Sequence, residues 1–155
     1  MRRLPARLLL GAALAASAAG GASAEAPNWE VARDAGCALR SAPQSVNDGY
    51  QTVQARIEVD ATKVVVESPS DLDAGFSDIG LALPGHGFIR MDRVDGKKRA
   101  VFESRYADLV QGFKAGREVE ARLRFWPEFP VTGVHDARFS LMGFTKAYDA
   151  AQGCK

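Results

Sequence analysis

The chain has 155 residues, 20 Lys and Arg against 19 Asp and Glu, two cysteines and a formal charge of +1. That length holds one compact domain with a real core. The near-neutral, mixed-sign surface excludes the clustered basic patch expected of a nucleic-acid binder, and it offers no polybasic membrane footprint.

The first residues, MRRLPARLLLGAALAASAAGGASA, read as a secretory leader: Arg2, Arg3 and Arg7, then a run of Leu and Ala, then the small triplet Ala22-Ser23-Ala24. Cleavage is expected after Ala24. The apolar run is too short and too rich in Ala and Gly to serve as a membrane span, which needs roughly 20 apolar residues. The expected mature domain runs from Glu25 to Lys155, and removing three arginines leaves 17 basic against 19 acidic residues, about −2. Its two cysteines, Cys37 and Cys154, allow a single intramolecular pairing, which an oxidising compartment favours. A lipidation box at Ala35-Gly36-Cys37 fits poorly, because Glu25, Glu30, Arg33 and Asp34 separate it from the apolar run.

Residues 51–59, QTVQARIEV, alternate with period two, and Val53, Ala55, Ile57 and Val59 share one face of a half-buried strand. DATK turns the chain into VVVES, a β-branched partner strand. After PSDLDAGFSD, a second hairpin is predicted from IGLAL, the turn PGHG and FIRMD, and DGKK then leads into the strand RAVFE. The period changes at Ser104. Tyr106, Leu109, Val110 and Phe113 form a helical stripe, with Ser104 as the expected N-cap and Gly116 just past the end.

VEARLRFW returns to alternation, with Val119, Ala121, Leu123 and Phe125 inward and Trp126 outward. PEFP interrupts it, and VTGVHDARFSL is the last predicted strand. A closing helix carries Phe144, Ala147, Tyr148 and Ala151 on one face, with Gly153 expected to end it in a left-handed conformation. The elements add up to seven or eight strands and two short helices, mid-chain and C-terminal. The predicted fold class is mainly β: a single antiparallel β-sandwich-like domain over residues 25–155.

The stretches RAVFESRYADLVQGFKAGREVEARLRFW and ARFSLMGFTKAYDAAQ resemble the invasion-associated locus B family of small exported bacterial proteins. The resemblance rests on Trp29-Glu30-Val31 as an N-terminal strand, Lys114-Ala115-Gly116 closing a short helix, and Ser140-Leu141-Met142-Gly143-Phe144 opening the last one. The family's further cysteines are replaced by Arg33 and the ESRY stretch, which leaves Cys154 as the partner of Cys37. The resemblance implies a periplasmic or secreted envelope protein, linked in some pathogens to host-cell invasion, with no known reaction. An unidentified envelope or host protein is then its partner.

No catalytic constellation emerges, and no metal or cofactor motif. His86 lies in the PGHG turn, and His135 shares parity with Ala137 and Phe139, so it reads as the end of a buried face. A hydrolase would need one of them beside a carboxylate and a hydroxyl. Asp71, Asp73 and Asp78 invite a calcium-loop reading, but Gly75 and Ala82 occupy positions that need ligands. Glu118 and Glu120 share their strand face with Arg122 and Arg124, which points to salt bridges rather than acid–base work. The remaining candidate is FWPEFP, where Trp126 and Phe129 form an expected aromatic contact site; the structural alternative is that Trp126 covers a sheet edge or packs under a helix. A second functional reading is a carrier holding a small apolar molecule among Val53, Ile57, Leu123 and Phe139.

Overall fold

A computed structural model describes residues 26–127 and 133–154 of the chain. The expected leader, Met1 to Ala24, and Phe129 lie outside the described residues. The expected class is observed: two antiparallel sheets and two helices form one sandwich-like domain.

The strands are β1 (Trp29–Ala32), β2 (Ala38–Ser41), β3 (Gln44–Asn47), β4 (Thr52–Val59), β5 (Val64–Glu67), β6 (Gly80–Leu83), β7 (Gly87–Arg90), β8 (Arg93–Asp95), β9 (Arg99–Phe102), β10 (Glu118–Leu123) and β11 (His135–Ser140). Helix α1 spans Tyr106–Ala115, and α2 spans Phe144–Gln152. The first sheet has the order β1-β2-β4-β5-β9-β8, with β3 also paired to β4; the second has the order β11-β10-β6-β7.

The described strands exceed the predicted seven or eight because short segments carry too few alternations to register as strands. β2 and β3 are one extended stretch interrupted at Ala42-Pro43, where proline has no N–H to give a ladder. Leu39 faces Val59 and Gln44 faces Ala55, five residues of advance against four, so this stretch carries one extra residue. The Ile57 N–H at the interruption donates instead to Ser41 Oγ, 2.9 Å away, and Ser41 is buried. The bulge bends β3 toward β11 of the other sheet. At another corner the chain passes directly from β7, paired with β6, to β8, paired with β9, so 87–95 belongs to both sheets.

Between the sheets the predicted inward residues meet. Val53, Ala55, Ile57 and Val59 from β4 and Val119, Ala121, Leu123 and Phe125 from the other sheet are all buried in one cluster. The helices close one end through aromatic contacts. Trp29, Phe113 and Phe144 pack with centroids 5.0–6.1 Å apart, and Tyr148 stands 5.8 Å from Phe144. The Trp29 indole N–H donates to the Ser140 carbonyl at 2.8 Å, tying β1 to the end of β11. Fully burying each Phe contributes about 2–3 kcal/mol, so this cluster fixes where both helices sit.

Two helix-end expectations are corrected. Ser104 does not cap α1: Arg105 holds the N-cap position without a side-chain bond. Ser104 is instead held to Asp92, which takes the Glu103 N–H at 2.5 Å, the Ser104 N–H at 2.9 Å and the Ser104 hydroxyl, fixing the segment that enters α1. Ser104 is drawn to this carboxylate, in the bend between β7 and β8, because it serves three donors together. Gly153 is not left-handed, with φ −86° and ψ 1°; the Cys154 N–H turns back to the Ala151 carbonyl at 3.2 Å, leading into the disulfide.

Candidate functional site

The predicted disulfide is present: Cys37 and Cys154 are bonded across 117 residues. Among the described residues no helix is long and apolar enough to cross a membrane.

Parity places Trp126 correctly. Phe125 turns inward and is buried, while Trp126 is 65% exposed. At that exposure it does not pack under a helix. The backbone beneath it is held firmly. The Trp126 N–H donates to the Asp71 carbonyl at 2.9 Å, the Asp73 N–H donates to the Arg124 carbonyl at 2.9 Å, and Leu72 and Phe125 form an antiparallel bridge between them. The acidic loop 71–78 is thus an added partner for the end of β10.

Side chains lock the same support. Arg124 donates from Nε to both carboxylate oxygens of Asp78, at 3.0 and 3.1 Å, and its guanidinium lies 4.4 Å from the Phe76 ring centroid. The hydrogen bond from Arg124 outweighs partial burial and holds the Asp78 carboxyl below the usual carboxylate range. Asp73 accepts the Gly75 N–H at 3.0 Å. Asp71, Asp73 and Asp78 consequently do not converge, and among the described residues no group of three His, Cys, Asp or Glu is placed to hold a metal ion.

Trp126 shares its parity with Glu118, Glu120, Arg122 and Arg124, so it belongs to the outer face of the second sheet. Phe88 joins that face from β7, 39% exposed, with the Arg122 guanidinium 5.4 Å from its ring centroid. Glu120 pairs with Arg122 at 3.0 Å and with Arg138 at 3.5 Å, so these carboxylates are engaged as the salt-bridge reading expected. Alongside them lies an open cleft of about 440 Å³ between Phe88, Glu120 and Arg138. Aromatic and arginine side chains alternate over the face, the residue types enriched in the cores of protein interfaces.

The histidines lie apart from each other. His86 is in the exposed turn after β6 and packs against Gly112 of α1. His135 begins β11, opposite Leu123, half-buried with its ring 5.6 Å from that of Phe125. They stand at opposite ends of the second sheet and form no common cleft. Sequence reasoning missed Phe76, Phe88 and loop 71–78 as parts of the Trp126 face, because their approach to β10 depends on sheet order.

In comparisons with known proteins, no family model, curated protein or solved structure matches the chain.

Proposed function

We propose that the chain is an exported cell-envelope protein of the invasion-associated locus B type, freed of its leader after Ala24, that acts by protein–protein contact rather than catalysis. Its partner is an envelope or host protein, met in the periplasm or outside the cell. The observation that carries this reading is Trp126, 65% exposed on a backbone fixed by loop 71–78. A large aromatic held in place loses little conformational freedom on binding, which makes it an effective anchor. The disulfide supports export, since such bonds persist in oxidising compartments. The alternative reading, a periplasmic carrier, would need space between the sheets. Val53, Ile57, Leu123 and Phe139 are 8, 0, 1 and 1% exposed and belong to one packed cluster, which favours the contact reading.

The test compares capture of partners from envelope extract by the wild type, Trp126→Ala and, as a control for exposed apolar surface, Met142→Ala. Met142 is 60% exposed and lies just before α2. Specific capture should survive Met142→Ala and fall about thirtyfold with Trp126→Ala, corresponding to roughly 2 kcal/mol for an anchor residue. Equal recovery by all three removes Trp126 from the account.

A further inference from the structure

The disulfide is built asymmetrically. Both cysteines are half-exposed and line a cleft of about 260 Å³, whose walls include Leu39, Val59, Tyr148 and Ala151. Cys37 belongs to the short loop between β1 and β2. Its φ of +66° follows +67° at Gly36, and its N–H donates to the Ala32 carbonyl at 3.0 Å, closing the hairpin. A non-glycine residue in this region is held there by its surroundings, so the Cys37 backbone is fixed in place. Cys154 follows the last turn of α2, its N–H turned back to the Ala151 carbonyl at 3.2 Å.

The second asymmetry is electrostatic. Arg33, at the start of the same loop, places Nη1 3.6 Å from the Cys154 sulfur. Its neighbour Asp34 is directed to Arg40 instead, at 3.5 Å. A guanidinium beside a sulfur stabilises the thiolate over the thiol, and a thiol of lowered pKa is the faster leaving group in disulfide exchange.

We infer that the Cys37–Cys154 bond is a thiol–disulfide exchange site for a protein dithiol, entered at Cys37 and opened with Cys154 as the leaving sulfur beside Arg33. The partner's first thiolate forms a bond to Cys37 Sγ while the bond to Cys154 breaks, and the electron pair of that bond goes to Cys154 Sγ. That thiolate is stabilised by Arg33 and then takes a proton from water. The partner's second thiolate attacks its own first sulfur and expels Cys37, which is protonated in turn. The chain gains two electrons and two protons, and the partner's dithiol becomes a disulfide. The apolar walls of the cleft receive the segment carrying the attacking cysteine. None of this uses Trp126, so it stands or falls separately from the contact reading.

The test treats the oxidised full domain briefly with limiting 2-mercaptoethanol, a monothiol with no second sulfur to expel the protein cysteine from the mixed disulfide. Early acid quenching, alkylation and peptide mapping then locate the adduct. The mercaptoethanol is expected on Cys37, with the alkylated free thiol at Cys154. Arg33→Gln should slow its formation, because the leaving thiolate loses its neighbouring positive charge, while Arg33→Lys keeps most of the rate. An adduct mainly on Cys154, or unchanged kinetics in Arg33→Gln, overturns the assignment.

Discussion

Gly80 illustrates how one residue controls the exposed aromatic face. A Cβ there would lie 2.4 Å from the Ile89 carbonyl oxygen and 2.5 Å from the Phe88 ring. The ring can swing aside, but the carbonyl is part of the β6–β7 ladder. Gly80→Ala is therefore expected to cost about 1–3 kcal/mol, measured as a shift in denaturant midpoint, and to raise the exposure of Phe88. An unchanged midpoint would mean that the ladder yields freely. Residue-scale features of this kind were only partly legible in the sequence. Period two correctly separated Phe125 from Trp126, because alternation is a local property. The contact of Arg124 with Asp78 spans 46 residues, and that of Arg33 with Cys154 spans 121, so neither leaves a local signal.

At the scale of elements, periodic segments and apolar runs bounded by turns were readable, while β2, β3 and β8 were not. β4 and the two helices carry enough repeats for their buried faces to be identified, and Tyr106, Leu109, Val110 and Phe113 do fall on the packed side of α1. β2, β3 and β8 have three or four residues each and take their extended form from ladder partners. The end of α1 at Gly116 was legible, but its start was not, because Ser104 is held by Asp92, twelve residues away in the bend between β7 and β8. Helix α2 is held by its aromatic packing and by the disulfide behind it. Replacing Cys37 and Cys154 together by serine should lower stability by about 4–5 kcal/mol if the bond acts by limiting the unfolded chain. Equilibrium unfolding in urea measures this, and a loss below 1 kcal/mol would show that α2 docks without its staple.

For the whole molecule, acid is the condition that acts on many of these supports together. Burial works to raise the carboxyls of Asp48, Asp60 and Asp92, but hydrogen bonds outweigh it: from Ser70, Gln51 and Tyr50; from Thr62 and Lys63; and from Ser104 and Glu103 respectively. Asp78 is lowered first by its hydrogen bond from Arg124. All four lie below the ordinary value of 3.8, so the folded state binds protons less readily than the unfolded chain. The stability they contribute is complete above that value and is lost as pH falls through the lower folded values. Unfolding midpoints should therefore be level from about pH 5 to 8 and fall steeply below about pH 4, with a shallower fall in Asp92→Asn. A midpoint that rises in acid would contradict this assignment of charges.

The same fixed framework is what gives Trp126 its proposed role, since the anchor is useful only if it meets a partner where the protein works. A photo-crosslinking amino acid placed at position 126, and in parallel at the exposed position 142, tests that contact in the intact cell envelope. The account predicts a discrete protein adduct from position 126 that is absent from position 142. No adduct at either position, or the same adducts at both, would contradict it.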